Sequence, residues 1–178
     1  MSRSDRQRWA SARTLAEIGQ LTALWLEGRI ASQPAYEPGY GPDSETRPLI
    51  PTLAGLCRAG YLTTNSQPGT SGGEYEQKAA VEGYVSDPGL HRRLVSAAQR
   101  AGLTVSTGAQ IIVTTRNGQP YTAFGGLLGP RDMQAQWSVL GRGAYAELAS
   151  ATQLTIVAPE YGEAGQAMWS VLSSAAGR

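Results

Sequence analysis

The sequence is poor in the side chains that most often carry chemistry. In 178 residues there is one cysteine (Cys57), one histidine (His91) and one lysine (Lys78). A lone cysteine excludes an internal disulfide framework and a thiolate metal cluster. A lone histidine excludes a histidine–cysteine zinc set. A Ser-His-Asp triad would have to use His91, which lies mid-helix among arginines. The P-loop and a Gly-x-Gly-x-x-Gly turn after a strand are missing too. The expectation is a protein with no metal and no cofactor, so catalysis would fall to carboxylates, hydroxyls, tyrosine, arginine or backbone amides.

Charge is also scarce. Charged residues make up 16% of the chain and the net charge is +1, which argues against a nucleic-acid partner held by bulk electrostatics. No apolar run approaches the roughly 20 residues of a membrane span. Residues 1–13 are polar and basic without an apolar centre, unlike a secretory signal. These absences together read as a cytoplasmic protein with no membrane partner. The near-complete use of arginine over lysine fits a GC-rich genome better than an arginine-specific role.

Apolar residues, at 41%, are enough for one well-filled core. Residues 1–13 read as a flexible basic tail or loose helix extension, and 14–178 as the domain. Thr14 and Glu17 have capping-box spacing ahead of a helix with Leu15, Ile18, Leu21, Thr22 and Trp25 on one face. Residues 32–48, rich in Pro, Gly and Tyr, read as a long loop in which Tyr36 and Tyr40 either form a lid or pack on the surface. Pro51 opens a second helix and Gly60 closes it, with Cys57 on its apolar face.

A short strand is expected at 61–63 and a loop over 64–75. The alternation of Val81, Gly83 and Val85 with Glu82 and Tyr84 favours a strand over 79–85, with a helix as the rival. Asp87-Pro88 starts a helix that ends at Gly102, and 103–107 forms the next strand. Strand, helix and strand suggest a right-handed parallel crossover. Asn117-Gly118 between 111–115 and 121–124 signals a hairpin. Residues 131–141 fit helix or strand. Helix over 144–151, a buried strand over 154–158, a turn at 159–162 and a helix over 164–176 complete the chain. The sum is a single α/β (or α+β) domain, with a mixed sheet of about five or six strands flanked by helices.

The candidate site residues cluster in three polar stretches. Thr64, Ser66 and Gln67 offer hydroxyls, a carboxamide and backbone N–H groups suited to an anion or a base edge. Gln77 precedes the next strand, which carries Glu82 and Tyr84. A carboxylate beside a phenol in a cleft can act as acid or base. Glu160 and Tyr161 sit in the polar turn just after the last strand. In parallel sheets ligands sit outside the carboxyl ends of strands, so Thr64 to Gln67, Ser86-Asp87, Thr107-Gly108 and Glu160-Tyr161 would share one rim if the strands ran parallel. The segment 68–76 resembles the Pro-Gly-Gly-x-Gly-Thr-x-x-Glu motif of lysine-decarboxylase-like phosphoribohydrolases at Pro68, Gly69, Gly72 and Glu76, with Thr70 and Gly73 departing from it. That resemblance implies a nucleotide-phosphate cradle and makes Glu76 a candidate catalytic carboxylate beside Glu82.

Four motifs are similar to those of an actinobacterial family of unknown function. They are Trp25-Leu-Glu-Gly28, Leu62 to Gly69, Gln77 to Tyr84, and Pro159-Glu-Tyr-Gly162 followed by Trp169. That family's last motif more often reads Asp-Pro-Glu-Trp-Gly-Arg, where Ala158, Tyr161 and Glu163 stand here. The resemblance implies a shared fold and carries no activity. The expected function is binding of a small polar or nucleotide-like ligand, with metal-independent hydrolase or transferase chemistry on it. The alternative is a non-catalytic protein-interaction or inhibitor module using the 32–48 and 66–75 loops.

Overall fold

The longest strand of the protein, β3 (Tyr75–Val85), runs through its centre and is paired along its whole length. The computed structural model describes residues 1–36, 39–72, 75–117 and 121–177. Three helices precede the sheet: α1 (Arg3–Ser11), α2 (Leu15–Leu26) and α3 (Ile50–Ala59). Thr14 caps α2 by accepting from the Glu17 N–H, and the Glu17 carboxylate returns to the Arg13 N–H at 2.7 Å. Gly60 ends α3 at φ 103°.

β1 (Tyr61–Gln67) pairs with β3 antiparallel, and the short β2 (Thr70–Gly72) folds back on the start of β3. The expected loop over 64–75 is therefore mostly sheet. Its polar residues belong to a strand because β1 lies at the edge, where one flank needs no apolar partner. Helix α4 (Pro88–Arg100) follows, with Asp87 at its N-cap, and then β4 (Thr104–Ser106).

The parallel crossover is corrected by the strand order, β1-β3-β8-β4. Strand β8 (Thr152–Tyr161) lies between β3 and β4 and is antiparallel to both. β3 and β4 do point the same way, but they are not neighbours. The shared rim is corrected with it. The ends of β1 and β8 meet at one border, where Gln67 faces Ala80 and Lys78 faces Tyr161. Ser86-Asp87 and residues 107–108 lie at the opposite border.

Between β4 and β8 the chain makes β5 (Ile112–Val113), β6 (Thr115–Arg116), β7 (Ala123–Phe124), α5 (Pro130–Gln136) and α6 (Arg142–Ser150). The hairpin signal is met where Ile112 pairs with Phe124, and Asn117 sits at φ 58°. Residues 118–120 of its turn lie outside the described residues. β6 pairs with β3 at Glu76 and Gln77. Residues 130–136 resolve as helix, so the ambiguity over 131–141 ends in α5 followed by the buried Trp137. The expected turn at 159–162 is strand as far as Tyr161, followed by a 3-10 turn (Gly162–Gln166) and the closing helix α7 (Ala167–Ala176).

Among the described residues the result is an α+β domain with a six-stranded sheet, a separate two-stranded ribbon and seven α-helices. One face of the sheet carries Val81, Val85, Leu154 and Ile156 against α2, α3, α4 and α7. The other carries Leu62 and Tyr84 against α1, α6 and Trp137, with Ala80 and Val157 under Phe124. Gly83 is needed where β1 crosses β3, because a Cβ there would lie 2.1 Å from the Leu62 carbonyl oxygen. No helix among the described residues is long and apolar enough to cross a membrane.

The basic start of the chain is a packed element, in contrast to the expected loose tail. Trp9 is fully buried, edge-on to Trp137 with ring centroids 6.3 Å apart, and its indole N–H donates to the Ser32 carbonyl at 2.9 Å. Arg3, Arg6, Arg8 and Arg13 mask one tryptophan that anchors the segment. Trp9→Ala is expected to cost about 3–5 kcal/mol in urea denaturation. A free tail would leave the midpoint where it was.

Candidate functional site

Most of the polar side chains singled out in the sequence are engaged inside the fold. The buried Gln67 donates its carboxamide N–H to the Lys78 carbonyl at 2.8 Å, tying β1 to β3. The buried Gln77 donates to the Pro68 carbonyl at 3.0 Å and to Glu45 at 3.3 Å. Glu76 sits opposite Arg116 in the β3–β6 ladder and accepts from its guanidinium at 2.6 Å. That contact leads the causes that raise the Arg116 pKa. Arg116 stacks on Tyr161, 4.1 Å from the ring centroid, and the Lys78 ammonium lies 4.9 Å from the same centroid. Glu160 belongs to this border through its field on Arg116.

Glu82 lies on the opposite face from Val81, as the alternation predicts. Reading across the ladder, Asn65, Glu82, Thr155 and Ser106 face one another in one transverse row. Thr155 and Ser106 are buried, Glu82 is half-buried and Asn65 is exposed. The Gly125 N–H donates to the Glu82 carboxylate at 2.8 Å. Gly125 has φ +93°, and a Cβ there would lie 2.1 Å from the Gln110 carbonyl oxygen, so the approach requires glycine. Burial is the main cause that raises the Glu82 pKa; hydrogen bonds from Gly125 and the Asn65 side chain pull it down by less. Tyr84, two residues on along the same face, is raised by burial and then by Glu82. Burial likewise pushes the Cys57 thiol up, beside Thr63 at 3.2 Å, in keeping with a small buried hydrophobe.

Thr64 and Ser66 have a different setting. Thr64 is the extra residue of a bulge in β1, between Thr63 opposite Gly83 and Asn65 opposite Glu82. With Asn65 and Ser66 it borders a cleft of about 60 Å³ whose other walls include Trp25, Gln33 and Tyr36. Tyr36 packs on Trp25 at 5.0 Å and donates its hydroxyl to Asp43 at 2.7 Å, which folds the 32–48 segment into a wall. Tyr40 is 62% exposed, though its carbonyl accepts from the Trp25 indole at 3.4 Å. Residues 37 and 38 of the expected loop lie outside the described residues.

Gln33 is the residue that sequence reading missed. It is 4% exposed, and its Oε1 has no hydrogen-bond partner. Gln33 and Tyr36 also line a second cleft of about 190 Å³, bordered by Arg6, Gln136 and Ser138. The pair therefore forms a partition between two hollows. Its position is set from both sides: the Trp9 indole holds the Ser32 carbonyl, and the Tyr36 N–H donates to the Gln33 carbonyl at 3.2 Å. Nothing in Ser32-Gln33-Pro34 marks the side chain as buried; the residues that surround it and the Trp9 that holds Ser32 are remote in sequence. Neither cleft is lined by Gln67, Gln77, Glu82, Tyr84, Glu160 or Tyr161.

The shift at Glu82 has a definite sign. A carboxyl whose pKa is raised by folding holds its proton more tightly in the native state. Its contribution is present below the unfolded pKa and is lost as pH rises through the folded one. Glu82→Gln keeps an acceptor for Gly125 and removes the titration. The stability of the variant minus that of wild type is therefore expected to increase from pH 4 to pH 7, measured by parallel urea titrations. A flat difference would remove burial as the dominant influence on this carboxyl.

No curated protein matches the sequence. A family model described as "Domain of unknown function (DUF6919)" matches residues 4–177, nearly the entire chain and every element around both clefts. The chain belongs to this family, whose function is uncharacterised.

Proposed function

We propose that the protein binds a small polar, nucleotide- or sugar-like ligand in the two clefts divided by Gln33 and Tyr36. The supporting observation is the buried Gln33 Oε1, an acceptor without a donor. Leaving such a group unsatisfied costs about 1–3 kcal/mol, and a ligand hydroxyl or amide placed there recovers it. Thr64 and Ser66 add hydroxyls on the inner side. Arg6 adds a positive charge on the outer side, where an anionic end of the ligand would lie.

Binding is favoured over catalysis because the two expected catalytic carboxylates, Glu76 and Glu82, already have partners in Arg116 and the Gly125 N–H. One observation favours hydrolase or transferase chemistry as a second reading: Asn65 both borders the inner cleft and hydrogen-bonds Glu82. An interaction module built on the 32–48 and 66–75 loops has less support, since Tyr36 is held by Trp25 and Asp43 and much of the later segment is paired strand.

Gln33→Leu is the informative variant. Replacing an unsatisfied buried amide by an apolar group of similar size is expected to hold or raise the stability of the free protein, by up to about 1 kcal/mol. The same change should abolish the thermal shift given by nucleosides, nucleotides or sugar phosphates. A saturating ligand at 100 times its Kd stabilises by about 2.7 kcal/mol, well within reach of the method. No shift across the panel in wild type, or an equal shift in Gln33→Leu, would overturn the proposal.

A further inference from the structure

The outer faces of α4 and α7 enclose a groove of about 660 Å³, far from the paired clefts and with different chemistry. Its floor is made of small side chains: Ala97 and Ala101 on one side, Val171 and Ala175 on the other. Arg92, Arg93 and Arg100 line the α4 side, and Ser170 and Ser174 the α7 side. Neither helix contains an aspartate or glutamate. Among the described residues none of the three arginines forms an ion pair. Arg93 alone is tethered, donating to the Ala175 carbonyl at 3.4 Å. A chain with a net charge of only +1 thus places unpaired positive charge along one channel.

The layout of the charges selects the partner. Arg92, Ser96 and Arg100 follow at four-residue spacing, so the outer arginines stand about 12 Å apart along the helix. Such a row does not converge on a single phosphate. It matches carboxylates spaced over two turns of a facing helix. The small floor admits a helix at the usual interaxial distance of about 8–10 Å and leaves room for its larger apolar side chains. Among the described residues the exposed large apolar side chains all lie elsewhere, so the groove lacks the groups that would enter a lipid surface. We infer that the α4–α7 groove docks an acidic amphipathic helix of a partner protein.

A displayed library of random 16-residue peptides, selected on the full chain, tests this. Arg92 and Arg100 are exposed, so Arg92→Glu/Arg100→Glu is expected to keep the wild-type melting curve. Ala101→Trp, also at an exposed position, fills the floor without changing charge. The expected result is enrichment of peptides with Asp or Glu at four-residue spacing beside Leu or Ile. Their affinity should fall with added salt and drop at least about tenfold in the double variant. Ala101→Trp should weaken them too. Failure to enrich acidic peptides would overturn the inference. So would enriched peptides that bind both variants as well as wild type, or single-stranded DNA or anionic vesicles that bind more tightly than the best peptide.

Discussion

Everything in this fold is arranged around a strand with no free flank. β3 pairs with β1 and β8 over its second half and with β2 and β6 over its first. Both of its faces are covered, one by the α2, α3, α4 and α7 layer and the other by Trp137, α1, α6 and the β5–β7 ribbon. A strand in this position tolerates little. Where two strands press closest it has Gly83, and the half-buried carboxylate of Glu82 is met by a backbone N–H. Because every partner of β3 is antiparallel, the ends of β1 and β8 are brought to the same border. The Gln67–Lys78 and Arg116–Tyr161 contacts then close that border.

What the sequence made legible was mostly local. The Thr14 and Asp87 caps, the Gly60 stop and the alternation over 81–85 each depend on residues within a few positions of one another, and each is found in the structure. Strand order was not legible. Whether β4 lies beside β3 or one place removed depends on β8, about fifty residues further on, and nothing in Thr104–Ser106 encodes that choice. The polar end of β1 misled for a related reason. Thr64 to Gln67 have loop-like composition, yet an edge strand can carry such residues when β3 satisfies one flank. Trp9 shows the same limit: its burial is decided by Trp137 and Ser32, both remote in sequence.

The candidate site was only partly legible, and the reason is chemical. Gln, Glu and Tyr are as useful for tying strands together as for holding a ligand, and composition does not separate the two uses. Here Gln67, Gln77, Glu76 and Glu82 are used by the fold itself. Thr64 and Ser66 are left bordering a cleft because a bulge disturbs the ladder beside them. Gln33, the acceptor with nothing to accept, had no sequence mark at all.

Lys78 gives this architecture a practical handle. The chain holds a single lysine, and it sits within the central strand, half-buried against Tyr161 with its backbone N–H bonded to the Thr114 carbonyl at 2.8 Å. A lysine-specific endopeptidase therefore has one peptide bond to cut, and it can reach that bond only when the sheet has come apart. The rate at which the intact band gives way to two fragments then reports how often the centre of the sheet opens, with no label attached.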